Sequence, residues 1–246
     1  MSEPTGLNKL KGFEPVYVIN LKSRTDRFDY IKKQLKENKV SNYTVVEATD
    51  GNSAIWEDLV FDRKSLPLTD SELGATISHL STIKKWFENS DSDYAIVIED
   101  DLSFETVKYW DFNFKNFIKS IKQKYGILQF CIIHNFQVNP SFHIREHRDW
   151  SAACYLITRD WAKFLIDKYF VDGKYVLPND YTALADFIIY NGAKCYSKPL
   201  FTYSLDLETS ITSPSNTKED KEDPNGIHHK SHKDVISYWE QYNKEI

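Results

Sequence analysis

Hydrophobic and polar positions along this chain fall into blocks that switch repeatedly between strand and helix periodicity. Val16-Tyr17-Val18-Ile19 is an unbroken β-branched and aromatic run, the pattern of a strand buried on both faces of a parallel sheet. From Asp26 the apolar residues Phe28, Ile31 and Leu35 recur at helical spacing with basic residues between them, which predicts an amphipathic helix. Residues 43–46 predict a second strand, closed by the turn signal Asp50-Gly51. The first fifty residues thus read as a β-α-β unit.

Thr69-Asp70-Ser71-Glu72 has the form of a capping box, so a helix is expected to begin there. Leu73, Ile77, Leu80, Ile83 and Phe87 carry it for more than four turns. Residues 94–98 then predict a third buried strand that runs directly into Glu99-Asp100-Asp101. Beyond it the pattern predicts a helix over 111–124, strands over 127–133 and 152–157, and helices over 160–169 and 181–190. Residues 213–233 turn polar and lose any apolar period, which reads as a loop, before a short amphipathic helix at 235–242. Alternation of this kind predicts an α/β fold with a Rossmann-like, mainly parallel central sheet flanked by helices.

Composition narrows the function. The 246 residues suffice for a sizeable core, and 41% hydrophobic with 27% charged residues is ordinary for a folded chain. A net charge of -5 lacks the positive field that binding to a nucleic-acid backbone needs, so no nucleic-acid partner is expected. Cys131, Cys154 and Cys195 stand far apart and form no Cys-x-x-Cys pair, which suits a reducing compartment. No apolar run is long enough for a leader or a membrane span, so a cytoplasmic protein, in a bacterium or in virus-infected host cytosol, is expected.

Three adjacent carboxylates at the carboxyl end of a buried strand are the sharpest chemical feature, because open α/β sheets place ligands at those ends. Alternation puts Glu99 and Asp101 on one side and Asp100 on the other. Such oxygen ligands suit Mg²⁺ or Mn²⁺, the alternative being a solvated acidic loop in which Asp101 caps the next element. Asn20, Leu21, Arg24 and Arg27 lie after the first strand, where a chain rising into a helix favours anions; equally, Ser23 and Asp26 could start the helix and the arginines form surface ion pairs. His79, next to Ser78, lies beside the apolar stripe of its helix, where a histidine is either catalytic or satisfied within the core.

Taken in order, these segments resemble glycosyltransferase family 25, which holds lipopolysaccharide β-galactosyltransferases and collagen-modifying galactosyltransferase domains. The resemblance rests on Asn20-Leu-x-x-Arg-x-Asp-Arg27, Ala48-x-Asp-Gly51, Gly74-Ala-Thr-Ile-Ser-His79 and Ile96-Val-Ile-Glu-Asp-Asp101. Later and looser matches are 152–157, Pro178-Asn-Asp180 and Ser210-Ile211, so it extends over about residues 16–211.

The resemblance implies a GT-A domain over residues 1–212, with a nucleotide-sugar part at 14–105 and an acceptor part at 106–212, followed by the polar loop and helix of 213–246. It further implies a UDP-sugar donor, inverting transfer of galactose or glucose, and Mn²⁺ or Mg²⁺. The acceptor would be a glycan, a lipid-linked saccharide or a protein hydroxyl. Asn20, Leu21, Arg24, Arg27, Asp50, Ser78, His79, Glu99 and Asp100 would face the donor, and Glu99 and Asp101, with a late histidine such as His229, would hold metal. Asp180 is the first candidate for the base, the alternative being an N-cap for the following helix, and Asp186 is the second. Sugar stacking could involve Trp86, Trp110, Trp150 or Tyr181. Two other readings share these residues: an inactive nucleotide-sugar-binding or structural module, and a metal-dependent phosphoryl-transfer enzyme.

Overall fold

The computed structural model describes residues 8–207 and 226–242. The three expected early strands form as β1 (Val16–Asn20), β2 (Tyr43–Glu47) and β3 (Tyr94–Glu99). Between them lie α1 (Thr25–Glu37), a short α2 (Trp56–Leu59) and the long α3 (Asp70–Asn89). Thr69 closes the expected capping box: its N–H donates to Glu72 Oε2 at 2.8 Å and its hydroxyl accepts from the Glu72 N–H at 3.2 Å. Strand β1 pairs in parallel with β2 on one side and β3 on the other, so the chain leaves it in opposite directions to reach its neighbours.

The remaining elements are β4 (Leu102–Ser103), α4 (Phe114–Ser120), β5 (Ile127–Cys131), β6 (His143–Ile144), β7 (Cys154–Thr158) and α5 (Arg159–Tyr169). They are followed by the hairpin β8 (Phe170–Val171) and β9 (Lys174–Tyr175), α6 (Ala185–Ile188), β10 (Cys195–Tyr203) and α7 (Ile227–Tyr242). The main sheet has eight strands in the order β2-β1-β3-β7-β5-β10-β4, with β6 beside β10. Strand β7 runs antiparallel between β3 and β5, and β5 pairs in parallel with β10. Thus β1, β2, β3, β5 and β10 share one direction, while β7 and the short β4 and β6 oppose them.

Strand alternation divides the core between the two faces of the sheet. Tyr17 and Ile19 pack with Leu73, Ile77, Leu80, Ile83 and Trp86 of α3 and Leu165 of α5. Val16 and Val18 face Ile31 and Leu35 of α1, Phe114 of α4, and Val235 and Trp239 of α7. Each such side chain contributes about 1.5–3 kcal/mol by leaving water. Trp86 and Trp110 are fully buried in this packing, so neither is available to stack on a sugar; Trp150 is half-buried and Tyr181 is exposed. Among the described residues no helix is long and apolar enough to cross a membrane.

Three of the expected helices depart from the sequence reading. The helix expected at 181–190 is a 3-10 turn over Tyr181–Ala183 followed by the four-residue α6. Leu184 is extended at ψ 145°, and the Asp186 and Ile189 carbonyls accept from Arg145 Nη2 and Trp161 Nε1 at 2.8 Å each. Tertiary donors therefore take carbonyls that a continuing helix would have used. The helix expected at 111–124 is confined to α4, whose start is capped by the Asn113 side chain accepting from the Asn116 N–H at 2.9 Å. The last helix begins at Ile227, well inside the stretch read as loop, because its polar residues have partners in the fold. Ser231 Oγ accepts from the His134 N–H at 2.9 Å, and the Tyr203 hydroxyl donates to the His228 carbonyl at 2.7 Å. Ser210, Ile211 and most of the polar stretch lie outside the described residues.

The start of α3 meets the turn after β2 at unusually close range. A Cβ on Gly74 would lie 2.7 Å from the Thr49 carbonyl oxygen, and one on Gly51 would lie 2.1 Å from that of Asp70. Gly74→Ala should therefore reverse the usual gain of about 1 kcal/mol for alanine in a helix and cost about 1–2 kcal/mol net, since overpacking against backbone costs about 1–3 kcal/mol. Thermal melting measures this; a variant melting at or above the wild type would contradict the close approach.

Candidate functional site

The carboxyl ends of β1, β2 and β3 open on a cleft of about 280 Å³. Its walls are the turn after β1, the Ala48 to Asn52 turn after β2, and the first half of α3, with Glu99 and Asp100 between them. It lies where the chain departs from β1 toward opposite neighbours, so the loops on either side part and leave a crevice. Leu21, Arg24, Arg27, Asp50, Ser78, His79, Glu99 and Asp100, all singled out in the sequence, line it.

One buried guanidinium organises the acidic turn. Arg27, only 6% exposed, projects from the first turn of α1 and sets Nε 2.7 Å from Asp100 Oδ1 and Nη2 2.5 Å from Asp101 Oδ2. Asn20 Nδ2 donates to the second Asp100 oxygen at 2.6 Å and to the Arg24 carbonyl at 3.2 Å, which ties the end of β1 into the same network. Burial pushes the Asp100 carboxyl up to about 6; Arg27 opposes that shift and Asp101 adds to it. The two arginines thus divide the roles left open by the sequence. Arg24 pairs with the exposed Asp26 at 2.9 and 2.7 Å, whereas Arg27 is internal.

Glu99 belongs to a second cluster. Its Oε1 lies 3.0 Å from Nε2 of the buried His79, whose Nδ1 is 3.1 Å from the hydroxyl of Tyr155 on β7. Asp186, at the start of α6, is half-buried; burial and the nearby Glu99 raise its carboxyl, while the Ser151 N–H, His79 and Arg145 pull it down. The charges of Glu99 and His79, which line the cleft, thus act on the Asp186 carboxyl.

Other predicted residues have quieter surroundings. Ser78 Oγ accepts from the Thr49 N–H at 2.8 Å and donates to the Gly74 carbonyl at 2.6 Å, so it secures the turn after β2. Asp50 accepts from the Asn52 N–H at 2.9 Å. Asp180 is exposed and caps the 3-10 turn, accepting from the Thr182 N–H at 2.8 Å and hydroxyl at 2.5 Å; those bonds hold its carboxyl below the usual range. His229 sits half-buried in the first turn of α7. Sequence reasoning missed Tyr155, Arg145, Ser151 and the α3 wall residues Ser71 and Ala75. The spacing 71, 75, 78, 79 was a readable signal, since it puts small and polar residues on one helical face.

The divalent metal implied by the resemblance meets a donor set in which each of the three acids already has at least one oxygen engaged. Asp100 and Asp101 close on Arg27, and Glu99 turns to His79. Among the described residues no three His, Cys, Asp or Glu side chains come together as a group that could hold a metal ion, so His229 does not complete one with Glu99 and Asp101. As arranged, these residues do not fit the ion.

Fold and cleft together define the class: an α/β protein with its ligand crevice at the switch point of the sheet. Within that class the chain belongs to glycosyltransferase family 25 (LPS biosynthesis protein), whose pattern matches residues 13–182. It is 33% identical over 105 residues to procollagen galactosyltransferase 2 of Mus musculus, a stretch covering 38% of this chain and 16% of that protein. It is 35% identical over 106 residues to procollagen galactosyltransferase 1-A of Xenopus laevis, covering 38% of this chain and 17% of that protein. The matched part is thus under a fifth of these relatives' length. Among solved structures, A197 from STIV is similar at a TM-score of 0.42 and 8% identity, covering 76% of this chain and 81% of that one. A Drosophila galactosyltransferase 7 mutant in complex with manganese, UDP-Gal and xylobiose is similar at a TM-score of 0.38 and 15% identity, covering 86% and 82%. Both likenesses are too distant to bear on function.

The Asp100 environment makes stability depend on pH. Its folded carboxyl titrates near 6 against an ordinary 3.8, so the native form binds an extra proton between those values. That contribution is complete below 3.8 and is lost as pH rises through 6, a change of about 3 kcal/mol. Chemical denaturation of wild type and Asp100→Asn from pH 4 to 7 should show the wild type losing stability relative to the variant as pH rises. Parallel curves would contradict this environment.

Proposed function

We propose that this chain transfers a hexose, galactose or glucose, from a UDP-sugar to a hydroxyl of a glycan, a lipid-linked saccharide or a protein, with inversion at the anomeric carbon. The observation that carries the reading is the convergence of the turn after β1, the turn after β2 and the acidic turn after β3 in one crevice, in a chain of glycosyltransferase family 25. Leu21, Arg24 and Asp50, which line the crevice, are suited to the nucleotide side of the donor, with Asn20 behind them in the Asp100 network. The N-terminal end of α1 and the Arg24 guanidinium, which lines the crevice, favour the negative charge that grows on the departing diphosphate.

Inversion by single displacement requires a base opposite the leaving group. The acceptor oxygen forms its bond to the anomeric carbon, the bond from that carbon to the phosphate oxygen breaks, UDP leaves with the electron pair, and the hydroxyl proton passes to the base. Asp186 suits this role better than Asp180. Its raised carboxyl feels the charges of Glu99 and His79, both of which line the cleft, whereas Asp180 is exposed and bound to its own turn. Arg145, with Nη2 2.8 Å from the Asp186 carbonyl and its guanidinium 4.3 Å from the Tyr190 ring centre, holds the start of α6 in register with the cleft.

UDP release from UDP-galactose and UDP-glucose, with and without saccharide acceptors, tests the reading. Asp186→Asn should slow release by about 10²–10⁴-fold with UDP affinity unchanged, and Asp180→Asn should stay within a few-fold of wild type. A wild-type protein that binds UDP yet releases none from either donor with any acceptor would favour the inactive binding module instead.

A further inference from the structure

The acidic turn after β3 carries its own cation. Arg27 reaches both Asp100 and Asp101 from the first turn of α1, and side-chain exposure is only 8% for Arg27, 8% for Asp100 and 10% for Asp101. A guanidinium forked across two carboxylates cancels their repulsion and fixes their spacing. Unlike an ion from solution, it is delivered by the chain and seated before any ligand arrives. Asn20 then occupies the outer oxygen of Asp100 at 2.6 Å.

We propose that Arg27 is the resident counter-cation of the acidic turn and that, while seated, it bars divalent metal from Asp100 and Asp101. The two cations compete for the same oxygens. Mg²⁺ takes carboxylate oxygens at about 2 Å in a demanding octahedral shell, and the guanidinium nitrogens already stand 2.7 and 2.5 Å from one oxygen of each residue. Entry of the ion would also leave a buried guanidinium facing a second positive charge with its partners gone. Glu99, the third acid, has its Oε1 held by His79 at 3.0 Å. The inference concerns the charge balance of the turn and stands apart from the transferase reading, since its test needs neither donor nor acceptor.

Mn²⁺ titration followed by electron paramagnetic resonance, on the intact protein, is the test. Arg27→Met should half-saturate at a Mn²⁺ concentration about tenfold or more below that of wild type, because both carboxylates then lack their cation. Arg27→Lys, with one compact charge that cannot fork, should fall between them. Adding Asp101→Asn to Arg27→Met should remove the gain, which assigns it to this turn. Melting temperature should rise with Mn²⁺ in Arg27→Met and stay unmoved in wild type. Wild type half-saturating at the same concentration as Arg27→Lys would overturn the proposal, and that comparison remains decisive if Arg27→Met fails to fold.

Discussion

The guanidinium of Arg27, forked between Asp100 and Asp101, joins the first turn of α1 to the turn after β3 across the carboxyl ends of two parallel strands. Asn20 extends the same network to the end of β1. Two segments that are far apart in sequence, the passage from β1 into α1 and the turn after β3, thereby meet at one charge-balanced knot. Removing one member leaves the others charged in a place that water barely reaches, a loss of about 3–5 kcal/mol for a buried pair. The cleft owes its shape to this knot on one wall and, on the other, to the contact of Gly51 and Gly74 that brings α3 against the turn after β2.

Around that knot the sheet supplies rigidity and the helices supply chemistry. The α3 helix buries Leu73, Ile77 and Ile83 against one face and presents Ser71, Ala75, Ser78 and His79 to the crevice. The antiparallel β7 brings Tyr155 under His79, and the irregular chain after Asp180 carries Asp186 to where the Glu99 charge acts on it. The C-terminal helix α7 seals the opposite face, with Trp239 Nε1 donating to the Pro199 carbonyl at 2.8 Å and His232 paired to Glu105 at 2.7 Å. His228 and His232 serve that packing against Tyr203, and burial among Tyr238 and Trp239 lowers the nearby Lys198 to about 8.

Much of the first hundred residues was legible because local signals agreed there. The run 16–19, the capping box at Thr69 and the strand ending at Glu99 each combine periodicity with a chemical stop or start. Legibility fell where tertiary partners overrode local pattern. Residues 181–190 have a helical apolar period, yet Arg145 and Trp161 capture carbonyls and Leu184 turns extended. Residues 227–233 look like solvated loop, yet His228 and Ser231 are buried with specific partners. The reversed direction of β7 left no trace in composition, since a buried antiparallel strand reads like a parallel one. At the site, residue types pointed to the acidic turn, but which arginine would be internal depended on a helix phase that puts Arg27 inward and Arg24 at the rim.

A crystal structure with a bound UDP-hexose tests most directly the proposal that the crevice above β1 and β3 is the donor site. The expected result places the nucleotide diphosphate in the crevice, against the turn after β1 and the start of α1, with the hexose directed toward Glu99 and Asp186. A donor bound on the α7 face or anywhere away from this crevice would contradict the account.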